Sequence, residues 1–380
     1  MAVFSSTGAA RTGDVRSLPK VDVWLILSSC LLITVGLMAL YSEGISRDNG
    51  ADFRKQVMFA VIGLIPFTLF ASVNPKFWMW TSRILYGGNL LALSAVFALG
   101  ARKKGAERWI EIGPVQFQPS EMAKLLTVLT LAAFFAANLD EIRKPATFLK
   151  SFLHILPPLL LILLQPHLGA AMVIVASWFA ISIVAGVPAR YLAAAGIALG
   201  LLGVTVLAVP AVSSHLLHGY QQERITGMEG KDSKGRNWQT ERAEIAFGVG
   251  GVTGAGYLNG GQKRAHFIPE QHNDFVFTIV GEEGGLVGCT LVLAAFGFFF
   301  YRIWLVMLHA DDPYSRMVTA GVFAALFFHT FVNIAMVLQL VPVVGLWLPF
   351  LSYGGTALWF CMACVGLVLS VRRRERPILF

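Results

Sequence analysis

Four acidic side chains, Glu270, Asp274, Glu282 and Glu283, stand within FIPEQHNDFVFTIVGEEGG, where the chain is about to enter a long apolar run. A carboxylate at such an entrance can serve as a general base, taking the proton of an attacking hydroxyl and contributing about 10² to 10⁴ in rate. Plainer roles compete with that one. Asp274 can cap the helix that follows by accepting its first free N–H groups. Glu282 and Glu283, two and more turns deeper and so about 12 Å further along a helix, can each belong to a buried ion pair.

Other charged stretches offer partners. In QPSEMAK, Glu121 and Lys124 are three residues apart and share a helix face, so they can pair with each other or with the acids of the later stretch. Such a pair implies a polar cavity, which either receives substrate or locks helices together. The glycine-rich run Phe247 to Arg264 has no Gly-Lys-Ser/Thr and no flanking βαβ pattern, so it is not a phosphate loop. Its bare backbone, followed by Lys263 and Arg264, can wrap an anionic headgroup or serve as a connector. The segment ARKKGAERW brings together Arg102, Lys103, Lys104 and Arg108. The histidines His215, His218, His266 and His272 have no spacing that demands a metal, so a metal site stays unassigned.

The elements that must hold these residues are membrane helices. The 380 residues are 56% hydrophobic and 14% charged, with a mean hydropathy of +0.66. A soluble domain carries roughly 25% charged residues. Apolar runs of roughly 20 residues cross the bilayer as helices, and the alternation of a barrel strand is missing from them. The fold class is therefore an all-α integral membrane protein of about ten spans, near 22–42, 56–73, 79–99, 119–138, 150–165, 168–186, 190–210, 275–303, 315–339 and 350–371. The fifth and sixth, parted only at Gln165 and Pro166, form a broken or re-entrant pair if the count is nine. The chain divides into an N-terminal tail (1–21), seven spans (22–210), a long hydrophilic loop (211–273), three further spans (274–371) and a basic tail (372–380). No cleavable signal precedes the first span.

Basic residues in short loops favour the cytoplasm, which puts both termini inside and the 211–273 loop outside. The cluster Arg102 to Arg108 then breaks the rule, as noise or as a surface for an anion. The net charge of +8 otherwise faces anionic lipid headgroups, and nucleic acid is not needed to explain it. Cys30, Cys289, Cys361 and Cys364 lie in apolar runs, which argues against a disulfide framework and a zinc site. Pro342, Pro349 and Ser352 to Gly355 interrupt the last two spans on the outer side, and broken backbone at that depth survives only against protein or water. With the acids they outline an outward-facing cleft that includes Ser352.

KGAERWIEIGPVQFQPSEMAK, FIPEQHNDFVFTIVGEE and LPFLSYGG, in this order within such a chain, closely resemble the SEDS family of shape, elongation, division and sporulation proteins. VPVVGLWLPFLSYGG and YLNGGQ lean toward its RodA-like elongation branch rather than the FtsW-like division branch. The resemblance implies a glycosyltransferase that polymerises lipid II into peptidoglycan on the outer face of the cytoplasmic membrane, beside a class B penicillin-binding protein and other elongation-complex membrane proteins. It matches the family's essential aspartate to Asp274, and it makes Arg108, Glu121, Lys124, Lys263, Arg264, Glu282 and Ser352 candidates for substrate binding. One departure is QPHLG, where His167 stands in place of the family's acid. An α-linked donor giving a β-linked product implies inverting displacement with one base, and a divalent cation (Mg or Mn) or the basic residues would balance the leaving pyrophosphate. A flippase is the rival from another class, although transporters place substrate between repeats near the midplane and no repeat is visible here.

Overall fold

The structure, a computed structural model, describes residues 21–47, 50–103, 106–112, 115–208, 237–264, 268 and 271–374. In chain order the helices are α1 (Val23–Arg47), α2 (Ala51–Ser72), α3 (Pro75–Trp80), α4 (Ser82–Leu99), α5 (Pro119–Ala136), α6 (Pro145–Leu164), α7 (Leu168–Ala185), α8 (Ala189–Ala208), α9 (Asn237–Gly250), α10 (Gly261–Arg264), α11 (Val276–His309), α12 (Pro313–Val337) and α13 (Gly355–Arg372). Among the described residues nine helices are long and apolar enough to cross a membrane, and Ala189–Thr205 of α8 is a shorter apolar stretch. The protein is a multi-pass helical membrane protein. α6 and α7 are two separate helices of 20 and 18 residues with Gln165 to His167 between them, each long and apolar enough to cross a membrane.

One element departs from the all-α expectation. Between α4 and α5 the chain forms an antiparallel sheet of β1 (Ala101–Lys103), β2 (Ala106–Ile112) and β3 (Val115–Phe117), in the order β1-β2-β3. AERWIEI carries Trp109, Ile110 and Ile112, aromatic and β-branched residues that suit a strand. A search for apolar runs of membrane length passes over so short an element.

Chemistry at the helix ends explains several boundaries. Pro119 opens α5 and Pro313 opens α12, where a missing N–H costs nothing. Asp312 caps α12, its carboxylate accepting from Ser315 N at 2.9 Å. Gly186 at φ 92° closes α7.

The centre of the bundle is α13, in which every residue from Gly355 to Val371 except Trp359 is buried. It runs beside α2 in the same direction. Trp359 Nε1 donates to Phe59 O at 2.9 Å, and at the far end Ser370 Oγ donates to Val73 O at 2.6 Å. The two backbones approach closely at Gly366, where an added Cβ would lie 2.3 Å from Phe67 O. Small residues permit such contact between membrane helices. α5, α7 and α12 complete the inner layer, whereas the faces of α4 and α8 carry exposed apolar side chains such as Leu91 and Leu201.

Replacing Gly366 by Leu is expected to force α2 from α13 and to lower the yield of monodisperse protein and its thermal midpoint in detergent. Gly87→Leu on α4, where an added Cβ meets nothing within 4 Å, is expected to leave both unchanged.

Candidate active site

The described loop residues, the break in α11 and the irregular segment 338–354 meet at one end of the bundle. Asp274 lies in the turn before α11 and is half-buried. The N-cap position of α11 is taken by Phe275, one residue later than the capping alternative requires. The backbone of the turn is held by side chains from elsewhere. Asn333 on α12 donates from Nδ2 to Asp274 O at 2.8 Å and to Leu346 O at 2.7 Å. Ser352 Oγ donates to Asn273 O at 2.5 Å while accepting from Leu348 N at 2.8 Å. Tyr353 N donates to His272 O at 2.9 Å. Gln56 of α2 secures the clamp in turn, donating to Ser352 O and accepting from Gly354 N. Backbone that leaves helical geometry among apolar helices needs such partners, because neither lipid nor apolar side chains supply them.

The acids Glu282 and Glu283 have structural partners. α11 is interrupted at Gly285, whose φ of 60° and ψ of −158° suit only glycine. A break of this kind strands carbonyls on one side and amides on the other. The glycine-rich run fills both: Ala255 N and Gly256 N donate to Glu282 O and Glu283 O, and Leu286 N and Val287 N donate to Gly251 O and Val252 O, at 2.9 to 3.1 Å. The run is thus a packed patch on a broken helix rather than an open cradle or a connector. The Glu282 carboxylate accepts from Gln262 N at 2.6 Å and from Lys263 N at 3.3 Å, at the start of α10. Lys263 Nζ pairs with Glu283 and also contacts Ser42 of α1, and all three side chains are buried. Of the two pairings open to Glu121 and Lys124, the structure has the one with each other, and Glu283 pairs instead with Lys263.

Lys124 lies in a second cluster. Its Nζ donates to Glu121 Oε2 at 2.7 Å and lies 2.7 Å from His329 Nε2, while Trp347 Nε1 donates to the same Glu121 oxygen at 3.1 Å. The ammonium also sits 4.9 Å from the Trp347 ring and 4.8 Å from the Phe360 ring. Glu121, Lys124 and His329 are all at most 1% exposed, so the pair is a lock between α5, α12 and the 338–354 segment. His167, at the start of α7, is buried with Nδ1 3.1 Å from Ser120 Oγ and 3.3 Å from Gln118 Nε2, where α5 begins.

Arg108 falls in β2 and Arg264 closes α10, whereas Lys104 and His266 lie outside the described residues. Among the described residues no group of three or more His, Cys, Asp or Glu is placed to hold a metal ion. Ser42, Gln56, His329 and Asn333 escaped the reading of motifs. The signal for them was present, since polar residues inside apolar spans mark function or a paired structural group.

A family model described as cell cycle protein, spanning FtsW, RodA and SpoVE, matches residues 19–377. The chain belongs to this family. The FtsW/RodA/SpoVE relatives include the peptidoglycan glycosyltransferase MrdB of Escherichia coli strain K12, 32% identical over 94% of this chain and 95% of that one. Among solved structures, a chain of a peptidoglycan synthase complex studied for the coordination of polymerization and crosslinking superposes with a TM-score of 0.79 at 30% identity, covering 94% of this chain and 99% of that one. The rod shape determining protein RodA of Thermus thermophilus gives 0.69 at 28%, covering 93% and 97%. This member of the FtsW/RodA/SpoVE family therefore shares its fold with those proteins.

Lys263→Ala would leave Glu283 buried without its cation, which costs about 3–5 kcal/mol. A marked drop in thermal midpoint is expected, and Lys263→Met combined with Glu283→Leu is expected to recover most of it, because two apolar side chains replace the pair without an orphaned charge.

Proposed function

We propose that this chain is a peptidoglycan glycosyltransferase of the elongation type, which polymerises lipid II with Asp274 as general base. One observation carries the reading: Asp274 sits on a non-helical turn whose backbone is gripped by Asn333 on one side while Ser352 grips the residue before it. A base works when it is held within reach of its proton, and positioning can supply much of the rate. MrdB, similar over nearly the whole chain, carries the name of this activity.

In the reaction the 4-hydroxyl oxygen of the acceptor sugar attacks the anomeric carbon of the donor. The new C–O bond forms as the bond to undecaprenyl pyrophosphate breaks, and the leaving oxygen takes that electron pair. The hydroxyl proton passes to the Asp274 carboxylate. Inversion at the anomeric carbon follows from a single displacement. The leaving group is anionic and needs cations, and Lys124 and Lys263 are already engaged with Glu121 and Glu283. Arg102, Lys103, Lys104, Arg108 and Arg264 are the remaining basic candidates of the sequence to meet it. No step is routed through a metal ion.

The reading places the site on the extracytoplasmic face and both termini in the cytoplasm, supported by Lys76, Arg143, Arg316 and Arg372 to Arg374 in short connections and at the C-terminal end. A class B penicillin-binding protein would crosslink the product, a partnership supported by the similarity to a chain from a complex that couples polymerization to crosslinking.

With lipid II and the transpeptidase partner, the wild-type protein is expected to make glycan chains, and Asp274→Asn is expected to slow polymerisation by about 10² to 10⁴ while remaining folded. Lipid II translocated without polymer would replace this reading with a transporter.

A further inference from the structure

We propose that Asn333 is a positioning residue for Asp274, and that with His329 it makes α12 the strut between the base and the Glu121–Lys124 pair. The inference rests on the reading of Asp274 as the base.

Asn333 is fully buried, and its amide nitrogen spends its two hydrogens on Asp274 O and Leu346 O. Its Oδ1 has no hydrogen-bond partner in the structure. An unsatisfied buried amide oxygen costs about 1–3 kcal/mol, a penalty that a leucine of similar volume would avoid. Filling space therefore does not account for asparagine here. What it supplies is two donors at fixed spacing, and both go to irregular backbone: one acceptor precedes α11, and the other lies in the 338–354 segment. A single side chain thus ties the turn that carries Asp274 to the segment that carries the Ser352 clamp.

His329 lies one turn earlier on the same face of α12, about 6 Å along the axis. It takes hold of Lys124 through Nε2 and lies 3.3 Å from Trp347 O through Nδ1. Its ring stacks on Trp347 with centroids 4.0 Å apart. Leu346 and Trp347, adjacent in sequence, are therefore held by Asn333 and His329, one helical turn apart. The same turn of helix holds Asp274 by its carbonyl and Lys124 by its ammonium. Rigid helical geometry then sets the separation of the base from the buried Glu121–Lys124 ion pair, and loss of Asn333 frees the Asp274 turn and Leu346 while His329 keeps its hold on Lys124 and Trp347.

The test compares Asn333→Ala and the near-isosteric Asn333→Asp with Asp274→Asn in the full-length protein with its partner. Both Asn333 variants are expected to lose about 10- to 100-fold in kcat, as misplacement of a reacting group does. KM for lipid II is expected to stay at its wild-type value, and the thermal midpoint is expected to fall modestly, because the Asp274 and Leu346 carbonyls lose their donor. Asn333→Ala combined with Asp274→Asn is expected to be no slower than Asp274→Asn alone, since a residue acting only through Asp274 adds nothing once the base is gone. Wild-type kcat in Asn333→Ala beside an inactive Asp274→Asn overturns this inference and leaves the base in place. So does a rise in KM alone, or failure of both Asn333 variants to fold. An active Asp274→Asn removes the base reading, and this inference with it.

Discussion

Backbone that leaves helical geometry among packed apolar helices must have its carbonyls and amides met by protein groups, and at this site that requirement decides which side chains stand where. Asn333, Ser352 and Gln56 spend their donors on main-chain carbonyls in 273–274, 346 and 352. The break at Gly285 imposes the same demand, and there the glycine-rich run answers it with backbone alone. Small residues are needed because the strands of chain come too close for side chains: an added Cβ on Gly254 would lie 2.0 Å from Glu283 O. The two irregular regions flank one short stretch of helix, with Asp274 at its start.

Charge is placed by the same logic. Ions buried among helices survive when paired and hydrogen-bonded, and among the described residues Glu121 pairs with Lys124 and Glu283 with Lys263, while the buried Asp22 is met by the part-buried Arg302. The first locks α5 to α12 through His329, and the second locks α1 and α10 to the break in α11 through Ser42. Neither Lys124 nor Lys263 is then an open cation. Asp274 differs from these acids in being half-buried on a turn, which suits a group that must meet an incoming sugar.

The spans were legible because membrane helices declare themselves by length and apolarity. The predicted 119–138 and 168–186 fall within two residues of α5 and α7. The β1-β2-β3 sheet was not, since its strands are shorter than any membrane signal. The importance of Asp274 was legible only through the resemblance, because its position beside a helix start suits a cap equally well. The ion pairs were half legible. Glu121 and Lys124 share a helix face by spacing, whereas Lys263 meets Glu283 only because α11 breaks, and Gly285 gives no sign by itself that it stands at φ 60°. Contacts such as Ser42 with Glu283 join residues 241 apart, and periodicity along a chain carries no trace of them.

The central claim is that the clamped turn aims the Asp274 carboxylate at the acceptor. A structure of the protein with its partner and a non-reactive lipid II analogue in the acceptor position tests it most directly. The account predicts that a carboxylate oxygen of Asp274 lies about 2.6–3.2 Å from the 4-hydroxyl of the acceptor sugar, or one water away. An acceptor hydroxyl bound to another carboxylate, with Asp274 facing elsewhere, would contradict it.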